Sequence, residues 1–279
     1  MKKFKVGIQL YGVRNSLQED FEGTIKAISE MGYEYVEFAG YYNKSAEEIK
    51  EVLDKYALKC ISVHQTIDFF DEDPEDKCAF LKAFGVKYNV IPWYDKEKLV
   101  GGQMTETLEK FKAAAELLNK NGMMLGYHNH DFEFVRDNGK YIHDRIFESI
   151  DADMIVPELD TCWVRYAGLD PVDYIRKYKG RVEIVHLKDF VCKSFAGGPV
   201  YDLIDGEGKD GAGKPASREE NGFKFRPLGE GIQDFDAILS ACEECGTELV
   251  IVEQDQSYDI SELEAARISR EFLRNKYGL

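Results

Sequence analysis

The chain has 279 residues, 44% of them hydrophobic, and sets 36 Lys and Arg against 52 Asp and Glu for a formal net charge of −16. That field repels a polyanion such as DNA, and no local basic patch offsets it, which disfavours a nucleic-acid enzyme. No apolar stretch reaches the roughly 18–20 residues needed to cross a bilayer. The start, Met1-Lys2-Lys3-Phe4, runs straight into strand-like sequence with no signal-peptide core, so a cytoplasmic location is expected. Cys60, Cys78, Cys162, Cys192, Cys242 and Cys245 fit reduced thiols. The CxxC spacing at Cys242 and Cys245 lies in a helical segment and reads as buried or idle thiols.

Apolar runs with strand character recur in chain order at Phe4–Tyr11, Tyr33–Phe38, Lys59–His64, Val86–Ile91, Met123–Asn129, Met154–Asp160, Val182–Leu187 and Glu248–Glu253. Helical spacing separates them. Thr24, Ile25, Ile28 and Met31 share a face ahead of the breaker Gly32. Leu108, Phe111, Ala115, Leu117 and Leu118 form another stripe, closed by Asn121-Gly122, and Ala266, Ile268, Phe272 and Leu273 form the last. Eight strand–helix alternations predict one α/β domain over residues 1–279, a closed (β/α)8 TIM barrel. A doubly wound open sheet would want a Gly-rich phosphate loop after its first strand, and Gln9-Leu10-Tyr11-Gly12 supplies none. Residues 190–226 break the rhythm. They show no sustained periodicity and read as a long rim loop after the seventh strand, suited to a lid or a substrate or oligomer contact.

Strand side chains alternate faces, so parity sorts them. His186 and Lys188 then face inward with Val182 and Ile184; Glu158 and Asp160 face inward with Met154 and Val156. Glu253 and Asp255 align on the eighth strand, His128 and His130 with Gly126 on the fifth, and His64 with Cys60 and Ser62 on the third. His143 reads as ordinary surface. The inward ionisable groups all come late in their strands, where barrel active sites sit. Burying unpaired carboxylates costs several kcal/mol, whereas a divalent cation turns such a cluster into a favourable site. His128, Asp160, His186 and Glu253 are the expected metal ligands. Imidazole with carboxylate suits Mn, Zn, Mg, Co or Fe without choosing among them.

The segments Gly126-Tyr-His-Asn-His-Asp-Phe-Glu-Phe134, Glu158-Leu-Asp-Thr-Cys-Trp-Val164, Val185-His-Leu-Lys-Asp189, Pro227-Leu-Gly-Glu-Gly231 and Val252-Glu-Gln-Asp255 occur in that order. In this the chain resembles the sugar phosphate isomerase/epimerase group of the xylose isomerase-like barrels over essentially its full length. The resemblance carries metal ligation to Asp160, His186 and Glu253. His128 stands where epimerases of the group have Glu, which removes the symmetric pair of carboxylate bases. Trp163 stands where a His often follows the sixth-strand Asp. The His-x-His pattern and the Val-Glu-Gln-Asp segment also resemble the inosose dehydratase branch.

The resemblance implies a divalent-metal-dependent isomerase or epimerase of a keto sugar, working by proton transfer beside a polarised carbonyl. A dehydratase or lyase on a keto sugar or inosose is the alternative, and a non-catalytic sugar-binding barrel stands third. An apurinic endonuclease would want more histidines and a basic groove. Glu253, His128 and Lys188 are the expected catalytic groups. His64, His130, Glu158, Lys188, Trp93, Trp163, Glu37 and Gln9 are the expected substrate contacts, with Tyr11 and Phe38 as further ring-packing candidates. The expected partner is a small carbohydrate, with no nucleic acid or membrane, and a homo-oligomer is compatible with the sequence. The glycines of Pro227–Gly231 could serve a phosphate or simply make a tight turn, so no phosphorylated substrate is claimed.

Overall fold

The computed structural model describes residues 4–193 and 218–279. Eight parallel strands close a barrel: β1 (Lys5–Gln9), β2 (Tyr35–Phe38), β3 (Lys59–His64), β4 (Tyr88–Ile91), β5 (Met124–His128), β6 (Ile155–Asp160), β7 (Ile184–Leu187) and β8 (Leu249–Val252). Each strand pairs with its chain-order neighbours, and β8 closes on β1 through Lys5↔Leu249 and Ile8↔Val252. Such strands are covered on both faces, which explains why they read as continuous apolar runs.

The helices between them start and stop where the chain provides caps. Asp20 accepts the Gly23 amide at 2.9 Å to open helix Phe21–Met31, and Gly32, at φ +93°, closes it. Ser45 and Glu48 form a reciprocal capping box at the head of Ala46–Lys55. The 18-residue helix Gln103–Lys120 buries Leu108, Phe111, Ala115 and Leu118 against the barrel. Among the described residues no helix is long and apolar enough to cross a membrane.

Two apolar shells result. The outer one, between strands and helices, holds Val36, Val63, Val185, Leu187 and Val250. The inner one fills the barrel floor with Tyr88, Val90, Val156, Ile184, Leu249 and Ile251. Within the strands alternation sorts β6, β7 and β8 as read from the sequence, but Met154 and Val182, expected to face inward, precede the strands and pack in the outer shell. Alternation itself fails in β3, where the β2 register jumps from Val36↔Cys60 to Glu37↔Ser62. The extra residue, Ile61, packs toward the floor, and Cys60 joins the outer shell instead of lying with Ser62 and His64.

The expected loop 190–226 is corrected at both ends. Asp189–Val191 pairs antiparallel with Lys224–Arg226, and Phe190, Phe223 and Phe225 pack with Cys162, Trp163 and Tyr166. A lid or contact role for its middle falls on residues 194–217, outside the described residues. His143 is not surface. It is fully buried, stacked on Phe134 and ringed by Phe147, Tyr174 and Tyr178. The Cys242 and Cys245 thiols are free and buried in helix Phe235–Cys245, and burial pushes Cys242 up to about 12.

Candidate active site

Above the floor the inward positions change from hydrocarbon to ionisable groups. Gly126 makes room for this change on β5, since a Cβ there would stand 2.8 Å from Val90 Cγ2. The next inward residue is His128, at the strand end. The groups fall into two tiers. In the deeper tier, Glu158 Oε2 lies 2.6 Å from His64 Nε2, 3.1 Å from His128 Nδ1 and 3.2 Å from His186 Nε2. Glu37 Oε1 accepts from Gln9 Nε2 at 2.7 Å and lies 3.0 Å from His186 Nε2 and 3.1 Å from His64 Nε2. In the upper tier, His186 Nδ1 lies 2.8 Å from Glu253 Oε2, and His128 Nε2 lies 3.7 Å from Asp160 Oδ2 and 3.9 Å from Glu253 Oε2. Lys188 Nζ sits 3.2 Å from Asp160 Oδ2, 2.9 Å from Glu253 Oε2 and 2.8 Å from Asp255 Oδ1.

Asp160 is held from several sides. Its Oδ1 caps the helix starting at Thr161, accepting from the amides of Cys162 at 2.7 Å and Trp163 at 3.2 Å. The Asn129 side chain brackets the Asp160 backbone, accepting from its amide at 3.0 Å and donating to its carbonyl at 3.2 Å. Asp160 Oδ2 is buried and accepts no well-formed hydrogen bond; the Lys188 ammonium, 3.2 Å away, is the positive charge that faces it, and the oxygen has room for a further cation contact.

Burial acts against every charge here, and the neighbours decide the outcome. Burial raises Glu253, yet Lys188 and His186 outweigh it and hold the carboxyl well below the usual range. Glu158 behaves alike under His186, His64 and His128. Burial lowers Lys188, but Asp160, Asp255 and Glu253 keep it charged. Asp255 moves upward through burial, against the pull of Lys188. His130 is pushed well below the ordinary imidazole range by burial and by His128.

Ligand atoms of His128, Asp160, His186 and Glu253 all lie within 4.8 Å of one another, and so do those of His64, His128, Glu158 and His186. The four expected metal ligands therefore do meet, and two imidazoles with two carboxylates make a donor set that fits a divalent transition metal. They open onto a cavity of about 460 Å³ lined by Tyr11, Ala39, His64, Pro92, Trp93, His128, His130, Lys188, Glu253 and Asp255. Trp93 and Tyr11 are exposed at its mouth.

Other expected contacts lie elsewhere. Glu158, Glu37 and Gln9 are fully buried beneath the imidazoles and do not line the cavity. Trp163 is buried, stacked on Phe223 with Arg218 over its ring, and serves as a wall behind Lys188 and His130. Phe38 faces the helices, packed on Phe21 and Phe84, because its parity is opposite to that of Glu37. The amides of the Pro227–Gly231 turn are already engaged. Asp189 accepts from Gly229 and Gly231, each at 3.0 Å, and from Gln233 at 3.1 Å.

Three residues escaped the sequence reading of the site. Asp255 shares parity with Glu253, a signal that could have placed it beside Lys188. Asn129 points away from the cavity, and Glu133, which accepts the His130 amide and the Tyr127 hydroxyl at 2.8 Å each, carried no strand pattern.

This geometry agrees with likenesses to known proteins. Over 99% of the chain and 98% of the relative, the sequence is 26% identical to an inosose dehydratase of Clostridium beijerinckii. A sugar phosphate isomerase/epimerase from Parabacteroides distasonis superposes with a TM-score of 0.76 at 21% identity, covering 98% of this chain and 94% of that one. The IolI protein with a binding zinc atom superposes with a TM-score of 0.68 at 16% identity, covering 97% of each chain. The xylose isomerase-like TIM barrel profile matches residues 25–276, and the chain belongs to that family of barrels.

Proposed function

We propose that this protein is a divalent-metal-dependent dehydratase of a keto-cyclitol or keto sugar. The observation that carries the reading is the asymmetry of the cavity wall. β8 brings two carboxylates to it, Glu253 and Asp255, while β5 brings the imidazoles His128 and His130. A two-base epimerase wants carboxylates on opposite sides of the reacting carbon. Elimination wants one base and one acid, and both can stand on the same side. The full-length likeness to an inosose dehydratase supports this order over the isomerase reading favoured by the sequence alone.

A divalent ion held by His128, Asp160, His186 and Glu253 would supply Lewis-acid polarisation of the carbonyl. Glu253 takes the proton from the carbon beside that carbonyl. The electron pair of the broken C–H bond becomes the new carbon–carbon double bond as the neighbouring C–O bond breaks. Asp255 gives a proton to the departing hydroxyl, which leaves as water. Lys188 bridges the two carboxylates and offers a short path for the proton to return from Glu253 to Asp255. Its ammonium also offsets negative charge growing on substrate oxygen. Trp93 and Tyr11 offer apolar faces to a sugar ring at the cavity mouth. The glycine turn, its amides taken by Asp189, supports an unphosphorylated substrate.

A second reading, isomerase or epimerase, rests on His128 lining the cavity, where a neutral imidazole could return the proton. Incubation with Mn, Co, Zn or Mg and a panel of inososes and ketoses in deuterated water separates the two. Dehydration predicts a product lighter by one water. A product of unchanged skeleton with deuterium at the α carbon supports the isomerase instead.

A further inference from the structure

The ladder that closes the barrel between β1 and β8 ends at Ile8↔Val252, below the rim. Past that pair each strand end delivers a residue to the cavity wall: Tyr11, three residues beyond Ile8, and Asp255, three beyond Val252. One side chain joins the two ends again. Arg14 Nη1 donates to the Tyr11 carbonyl at 2.8 Å and to the Asp255 carbonyl at 2.7 Å. Its guanidinium carbon stands 4.1 Å from the centre of the Tyr11 ring. Arg14 itself is half-buried and does not line the cavity, so it reaches the wall residues without meeting what the cavity holds.

Arginine suits this place for a chemical reason. Two hydrogens on one nitrogen serve two carbonyls, while the flat, weakly hydrated cation covers an aromatic face. The Tyr11 ring is 43% exposed, and a ring so exposed changes rotamer freely unless something holds it. Here its peptide is held on the other side too. Gln9 Oε1 accepts the Tyr11 amide at 2.8 Å, and Gln9 Nε2 donates to Glu37 at 2.7 Å. Arg14 is anchored in turn by Glu262, at the head of the helix Glu262–Tyr277 that follows β8. That carboxylate accepts from the amides of Asn15 and Ser16, each at 3.2 Å, and from Asn15 Nδ2 at 2.6 Å. Gly12 permits the close approach, because a Cβ there would stand 2.8 Å from the Gln254 carbonyl oxygen.

We propose that Arg14 is a positioning residue of the active site: by joining the Tyr11 and Asp255 carbonyls across the β1–β8 seam, it fixes an aromatic platform and a carboxylate at one spacing on the cavity wall. What those two groups do for a substrate rests on the dehydratase reading above; that Arg14 holds them does not. Glu262 ties the same seam through Asn15 and Ser16 instead of through the wall residues. The two ties therefore separate holding the fold from holding the site.

Crystals of Arg14→Ala and of wild type, grown with Mn2+, test the holding directly. In the variant the Tyr11 ring and the Asp255 carboxylate should leave their wild-type places, with Asp255 drawing away from Lys188. Both groups unmoved overturns the proposal. On the inosose that the wild type dehydrates fastest, kcat per bound Mn2+ should fall by about 10–100-fold. Moved groups with a wild-type kcat also overturn it. Glu262→Ala should lower the melting temperature yet leave kcat near that of wild type, and a loss equal to that of Arg14→Ala would reduce Arg14 to a fold residue, against the proposal. Should Arg14→Ala not fold, Arg14→Lys decides. It keeps the charge but loses the flat face, so the Tyr11 ring should still be released and KM raised; a ring in its wild-type place overturns the proposal. A wild-type protein that dehydrates nothing overturns the dehydratase reading alone, and the crystal comparison then decides on Arg14.

Discussion

The floor and the rim of this barrel are built by the same strands, two residues apart, and they solve opposite problems. Val156, Ile184 and Ile251 fill the floor with hydrocarbon, while Glu158, His186 and Glu253, the next inward residues on the same strands, fill the rim with charge. The floor gains stability simply by leaving water, about 1.5–3 kcal/mol for each large side chain fully buried. The rim gains nothing that way. Its buried carboxylates, Glu37, Glu158, Asp160 and Glu253, persist because imidazoles, Lys188 and the proposed metal ion answer them. Stability is thus concentrated below and chemistry above, and substitutions in the two tiers should separate the two properties.

The largest effect belongs to Asp160→Asn. Metal affinity, measured by calorimetry, should drop at least about 100-fold and turnover with it, while the metal-free protein unfolds at or above the wild-type temperature because one buried charge is gone. A metal-free variant that is much less stable would make Asp160 a structural residue and blur the division. In the floor, Ile184→Ala should cost about 2–5 kcal/mol in denaturant titration. Its metal affinity should stay within a few-fold of wild type, and a collapse of that affinity would show the two tiers to be one unit.

The smallest effect probes a buried ionisable group outside both tiers. Burial lowers the His143 ring below its ordinary value, against the pull of Asp144, so the fold favours the neutral ring. The unfolded chain then binds the extra proton. The stability is complete above the unfolded imidazole value of about 6.5 and is lost as pH falls from there toward the folded value. His143→Phe should flatten that part of the stability profile. Parallel profiles for variant and wild type between about pH 6.5 and 5 would contradict it.

Much of this was legible in the sequence, for identifiable reasons. Continuous apolar runs marked the strands to within about two residues, and alternation put His128, Asp160, His186 and Glu253 on one interior face. The failures have causes as definite. The bulge at Ile61 adds one residue to a run that is apolar on both sides, so alternation could not register it. Trp163 turns away from the cavity because Asp160 starts a helix, and strand parity ends there. His143 opens a helix whose buried face, with Ile142, Ile146 and Phe147, also takes in a neutral ring among aromatics. Glu158 was visible as an inward acid, but its depth relative to Asp160 needed the third dimension.

Diffraction at a metal absorption edge, from crystals of the protein loaded with Zn2+ or Mn2+, tests the central claim most directly. One anomalous peak should lie among His128 Nε2, Asp160 Oδ2, His186 Nδ1 and the Glu253 carboxylate. No peak in the barrel, or one seated between His64 and Glu158 with Asp160 and Glu253 uninvolved, would contradict it.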